Sequence, residues 1–228
     1  MDVLAFLQEK DEISYIDLIE PIRLGQAEVL IAEQEGVLIR INGDALDGVL
    51  FDQHLLPTFT DLLVGSEAPI AVHDGILADT LKAMGVAYHF PCFQAVYTKN
   101  IPCVLSQTPT IRDLGMDDLP IVLANYKNAD EAYVTERVQS GSLIGAVVDG
   151  QLAAFIGQHA ELTIGLLEVL PAYRRRHIGE ELEKVYINRM LAQHRVPFCH
   201  VATHNEASLA LQKKLGMTFG KHLIHWFN

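Results

Sequence analysis

The sequence is short of cysteine and of long apolar runs, and its first half is short of basic residues. Cys92, Cys103 and Cys199 are the only cysteines among 228 residues. Their odd number closes no disulfide set and their spacing lacks the close pairs of a zinc site, so reduced thiols in a cytoplasmic protein are expected. No stretch approaches the ~18 consecutive apolar residues of a membrane helix. The opening MDVLAFLQEKDEISY has no basic start and no long apolar centre, so neither a signal peptide nor a membrane partner is expected. Residues 1–105 hold 5 Lys+Arg against 16 Asp+Glu, whereas residues 106–228 hold 12 against 13. An acidic half of that strength argues against a nucleic-acid partner, whose phosphates need a basic face. It suits attraction of a cationic amine, or solubility alone. His159, His200, His222 and His225 have no metal-ligand spacing, and no metal is expected.

What is present is apolar material in quantity. Hydrophobic residues make up 50% of the chain, enough for a sizeable core. Ala27–Ile41 reads as two short strands around a turn at Glu35-Gly36. Pro57–Leu63 and Ile76–Met84 read as helices, the second stopped by Gly85. Ala68–Val72 and Val86–Tyr97 read as strands. Asn100–Pro109 carries two prolines and few charges and reads as a connection. The expected division is an acidic α/β domain over residues 1–105 and a second domain over 106–228.

The second domain begins with a strand at Thr110–Leu114, followed by a helix with Asp117-Asp118 in its first turn and another over Asp130–Gln139. Asp149-Gly150 between Leu143–Val148 and Leu152–Gly157 is a hairpin signal. Thr163–Leu170 reads as the next strand. Ile178, Leu182, Val185 and Tyr186 then recur at helical spacing, with acids early and Arg189 and Arg195 late. Phe198–Thr203 is an apolar strand, and Asn205 caps a helix that Gly216 ends. Thr218–Gly220 and Leu223–Phe227 complete the strand material.

Strand Leu166–Leu170, turn Pro171–Arg176 and a helix from about His177 make an arrangement suited to an anion. Backbone N–H groups at a helix start point outward, and the helix dipole favours negative charge. Arg174, Arg175 and Arg176 stand at its mouth, able to pair with phosphates or to lie solvated on the surface.

The segment VLPAYRRRHIGEEL resembles the acyl-CoA signature of the GNAT superfamily of N-acyltransferases. In that family an Arg or Gln opens a six-residue pattern with glycines in its fourth and sixth places. Arg174 opens it here, Gly179 fills the sixth place, and His177 stands in the fourth. His177 fits if the backbone is helical there. The segment HNEASLALQKKLGM is similar to a second motif of that family, matched by Asn205, Ser208, Leu211, Leu215 and Gly216. The run VPFCHVATHNEASLALQKKLGM looks most like FR47-like and glycine N-acyltransferase-type members. The resemblance implies an α+β (α/β) GNAT fold with a mixed central sheet over about Thr110–Asn228. The smaller N-terminal α/β domain would be a degenerate GNAT-like copy.

The resemblance further implies acetyl-CoA or another acyl-CoA as co-substrate and a small-molecule amine or amino acid as acceptor. The main chain of Leu167, Glu168 and Val169 would pair with the pantetheine arm. Arg174, Arg175, Arg176, His177, Ile178, Gly179 and Glu180 would surround the phosphates. Asn205, Ser208 and Leu211 would complete the cofactor side. Gln212 stands where many members have an acidic tyrosine; glutamine can hydrogen-bond the sulfur but is no acid, and a plain helix-surface residue is the alternative. A family base position falls on Thr163, which cannot serve. Glu161, two residues earlier and on the same face of a regular strand, and His204, at a strand end, are the candidates for base, alongside a water relay. These departures keep a non-catalytic acyl-CoA-binding or regulatory module open as the alternative function. A homodimer or protein contact through the acidic half is a further reading.

Overall fold

Residues 1–73, 75–106 and 110–228 are described in a computed structural model; Gln107–Pro109, the end of the expected connection, lie outside them. The chain divides into two compact units. The first comprises Met1–Val96, Ala160–Leu162 and Phe198–Asn228; the second comprises Tyr97–His159 and Thr163–Pro197.

The first unit contains helices α1 (Val3–Asp11) and α2 (Ile16–Arg23), strands β1 (Ala27–Glu33), β2 (Gly36–Ile41) and β3 (Ala45–Leu50), helix α3 (Leu56–Leu63), strand β4 (Ile70–His73), helix α4 (Ile76–Ala83) and strand β5 (Tyr88–Val96). The second holds β6 (Thr110–Asp113), α5 (Leu119–Asn125), α6 (Glu131–Gln139), β7 (Ile144–Val148), β8 (Gln151–Gln158), β9 (Ile164–Val169) and α7 (Ile178–Ala192). The chain then returns to the first unit with β10 (Phe198–Ala202), α8 (Glu206–Leu215) and β11 (Thr218–Phe227). The fold is α+β.

The first unit is built on a seven-stranded sheet ordered β1-β2-β3-β4-β11-β5-β10. It is mixed: β3 and β4 run parallel and the other neighbours antiparallel. The C-terminal strand β11 lies between β4 and β5, pairing Ile224 with His73 on one side and with Cys92 on the other. A core of Leu38, Leu46, Phe59, Leu63, Ile70, Val72 and Phe227 packs against it. The expected pair Thr218–Gly220 and Leu223–Phe227 is one strand, interrupted by a register shift between Phe219 and Leu223. Helices α1 and α2 and strand β3 were not anticipated from the sequence. Helix α2 contains Pro21, a residue that argues against a helix when read from sequence, and it buries Asp17 and Glu20.

The second unit carries a four-stranded antiparallel sheet, β6-β7-β8-β9. Its hairpin turn uses Asp149 at φ 51° and Gly150 at φ 77°. Two successive positive φ values match the right-handed twist of the strands they join. Leu114, Val122, Val134, Leu143, Phe155 and Leu166 form the core of this unit.

Candidate active site

In the second unit, β9 is the last strand of its sheet, so one main-chain edge lies outside the β8 pairing. The strand carries a bulge: Gly165 pairs with Gly157 and Glu168 with Phe155, leaving Leu166 and Leu167 opposite one residue. Leu166 takes φ 51° and turns its side chain into the core. Strict alternation along β9 is therefore broken, and Leu167, Glu168 and Val169 are all half-buried.

The turn after β9 is built from left-handed residues. Arg175 has φ 60° and His177 has φ 59° and ψ 10°. The helical backbone expected at His177 is absent; the α7 helix begins one residue later, at Ile178. Position 177 is the place where the signature has a glycine, and the positive φ is the reason. Histidine enters that region more readily than β-branched residues do, at a cost of about 1–2 kcal/mol. Gly179 has a different reason to be small. A Cβ there would stand 3.0 Å from Val169 Cγ2, so glycine lets the first turn of α7 approach β9.

The three arginines differ. Arg174 donates from Nε to the Val169 carbonyl at 2.9 Å and from Nη2 to Glu168 Oε1 at 3.0 Å. Its side chain is 58% exposed, so this ion pair is weak and exchangeable. Arg176 lies over the Tyr173 ring, 5.7 Å from its centroid, and Arg175 is exposed. Glu180 faces inward along the helix, 3.0 Å from Lys184 and 3.4 Å from His177 Nδ1. Tyr133 and His159, which sequence patterns did not single out as a pair, meet in this unit, with the Tyr133 hydroxyl 2.8 Å from His159 Nδ1.

In the first unit, the second motif forms a capped helix. The Asn205 side chain accepts from the Ser208 N–H at 3.1 Å. Gly216, at φ 76°, ends α8, with Met217 N–H bonded to the Gln212 carbonyl. Gln212 is buried rather than on the helix surface, whereas His204 is exposed and Leu211 half-buried. Glu161 is not on a strand: β9 starts at Ile164, and Glu161 occupies the turn before it, next to Leu162 at φ 75°. Thr163 is buried in the second unit, where its carbonyl accepts from His159 N–H.

The first unit also buries a polar cluster that no sequence pattern announced. Asp17 of α2, Asp47 of β3 and His73 of β4 are each less than 4% exposed. His73 Nε2 lies 3.3 Å from Asp17 Oδ2 and 4.0 Å from Asp47 Oδ1. His200 of β10 joins them, 3.4 Å from Asp17 Oδ2 and 2.9 Å from Gln94 Oε1. Burial and the neighbouring Asp17 push the Asp47 carboxyl well above the usual carboxylate range, and Glu161 adds to the push. Burial opposes ionisation of Asp17 too, but the His73 and His200 rings outweigh it and hold that carboxyl low. Burial, then Glu161, raises the Cys92 thiol to about 12, which leaves it inert.

Residues 108–217 match the model of the acetyltransferase (GNAT) family. The chain carries a GNAT-family domain. The solved structures similar to it show the same fold along nearly its whole length. A Drosophila protein is 17% identical over 98% of this chain and 94% of its own, with a TM-score of 0.67. A GCN5-related N-acetyltransferase from Kribbella flavida is 11% identical over 95% of each chain, at 0.61. A tandem GNAT protein from the clavulanic acid biosynthesis pathway is 13% identical over 100% of this chain and 94% of its own, at 0.50. These likenesses, all below 25% identity, are likenesses of fold. No curated protein matches the sequence. No described helix is long and apolar enough to cross a membrane.

Proposed function

We propose that the protein is an acyl-CoA-dependent N-acyltransferase that moves an acetyl or related acyl group from the CoA thioester to a primary amine. The observation that carries this reading is the turn from Arg174 to Gly179, with left-handed backbone at Arg175 and His177 ahead of the fifteen-residue helix α7. Such a turn aims N–H groups at a pyrophosphate, and the start of a long helix adds its dipole. Arg174, Arg175 and Arg176 pair with the phosphates, Arg174 by leaving its exposed contact with Glu168. The outer edge of β9 at Leu167, Glu168 and Val169 receives the pantetheine amides as an added strand would. The halves 1–105 and 106–228 descend in this reading from two copies of one fold.

Both substrates bind together and the amine attacks the thioester carbon directly. The amine loses a proton to a basic side chain or to water, and the CoA thiolate leaves. The acceptor is a small molecule or amino acid, which an acidic first half attracts as an ammonium ion. The setting is cytoplasmic, which suits the three free thiols. Calorimetry with acetyl-CoA and a thiol-release assay across an amine panel test the reaction. CoA binding with thiol release is expected; absence of CoA binding sinks the reading.

Gln212 and Thr163, at positions where an acid and a base are usual, support a second reading as a non-catalytic acyl-CoA-binding or regulatory module. It differs in one outcome: acetyl-CoA binds and no amine in the panel releases thiol.

A further inference from the structure

We infer that Asp17, Asp47 and His73 form a binding site for one divalent first-row transition-metal ion, best matched by zinc. The three residues come from α2, β3 and the end of β4, and each offers one ligand atom. Those atoms all lie within 4.8 Å of one another. Zinc bonds of about 2.0–2.2 Å in tetrahedral geometry set ligand atoms roughly 3.3–3.6 Å apart. The observed 3.3 Å and 4.0 Å from His73 Nε2 need only a small inward adjustment to reach those values.

The hydrogen bonding of the cluster points the same way. Asp17 Oδ2, Asp47 Oδ1 and both ring nitrogens of His73 have no hydrogen-bond partner among the described residues, although all are buried. The 3.3 Å approach of His73 to Asp17 is an ion-pair distance without hydrogen-bond alignment. Buried polar atoms are normally satisfied, and unsatisfied ones call for an ion, a water or a strained role. Two carboxyl groups and an imidazole are costly to keep away from water, and a bound dication compensates them directly.

The surroundings hold the ligand atoms in place. Asp17 Oδ1 accepts from its neighbour Leu18 N–H at 3.1 Å and from Gln94 Nε2 at 3.3 Å, which leaves Oδ2 turned to the site. Gln94 is itself held by the Ser14 carbonyl at 2.9 Å and by His200 Nε2 at 2.9 Å. The Gly48 N–H bonds Asp47. Tyr15 packs edge-on against the His73 ring, 5.1 Å between centroids. Metal sites commonly show such outer hydrogen bonds to their ligands. An oxygen–oxygen–nitrogen donor set without thiolate suits zinc, manganese or iron(II), and the affinity order among these favours zinc. Three protein ligands leave a fourth position for water.

The test uses the full-length chain, stripped with a chelator and then titrated with zinc chloride, with metal content read by mass spectrometry after dialysis. About one equivalent of zinc is expected. Asp47→Asn and His73→Gln should each weaken zinc binding by at least about 10–100-fold, the range seen when even outer-shell partners are removed. Circular dichroism of each variant reports its fold. Cobalt(II) added to the stripped wild-type chain gives a readout that no variant can confound: visible ligand-field absorption without a thiolate band. Failure of the wild type to retain zinc or to colour with cobalt overturns the site and leaves a proton-sharing acid cluster in its place. Equal zinc binding by wild type and both folded variants places the ion elsewhere and overturns it too.

Discussion

The two units place their candidate site residues in opposite ways. In the second unit the chemistry-bearing residues stand outside. Arg174 is 58% exposed and its contact with Glu168 is one that water can replace. Arg175, Arg176 and His177 are exposed beside it on consecutive residues. In the first unit the polar cluster is inside. Asp17, Asp47 and His73 are drawn from positions up to 56 residues apart and are sealed from solvent. Exposed charge costs little to maintain and waits for a ligand; buried charge must be compensated at all times. The turn of the second unit can be read locally, whereas the cluster of the first exists only once the sheet has formed.

The largest effect should come from breaking the continuity of the first unit. A chain ending at Pro197 loses β10, α8 and β11, and β11 sits inside the seven-stranded sheet between β4 and β5. Phe227, which is fully buried, leaves with it. That truncated chain should lack a cooperative thermal transition for the first unit, measured by calorimetry. A residue 1–96 fragment that folds by itself would contradict the sheet order.

Charge reversal at the turn should act on ligand and spare the fold. Arg174→Glu with Arg175→Glu removes charge-assisted contacts that contribute about 1.5–3 kcal/mol each. Acetyl-CoA affinity should fall at least about tenfold by calorimetry with the melting temperature little changed. Unchanged affinity removes the phosphate assignment. Asn205→Ala takes away the α8 cap and should cost about 1 kcal/mol in urea unfolding. A value near zero would mean that exposure has already cancelled the cap.

The smallest effect sharpens the reading of the turn. His177→Gly relieves a left-handed residue but loosens the unfolded chain, for a net gain of about 0.5–1 kcal/mol. Denaturant unfolding measures it. A loss of stability would show that the His177 ring and its approach to Glu180 outweigh the backbone cost.

Much of the second unit was legible because its determinants are close in sequence. Asp149-Gly150 turns the hairpin, Asp130 caps α6, and Gly141 follows its end. In the first unit, Asn205 and Gly216 bound α8 in the same way, as their residue types predict. These are short-range effects of φ preference and capping. The bulge at Leu166 was not legible, since leucine has no preference for positive φ and yields to core packing there. Nor was the turn position of Glu161, because Leu162 also takes a positive φ that its residue type does not signal.

By itself the sequence determined the mixture of strands and helices, the arginine-bearing turn between β9 and α7 and the capped helix α8, because spacing and residue type act within a few positions of the backbone. Tertiary structure alone decided that Phe198–Asn228 completes the first unit and that β11 runs between β4 and β5. Strand order is a matter of long-range pairing, and no local preference encodes which edge a strand will meet. The same pairing brings Asp17, Asp47 and His73 to one buried point, where burial removes the water that would otherwise have made three scattered polar residues unremarkable.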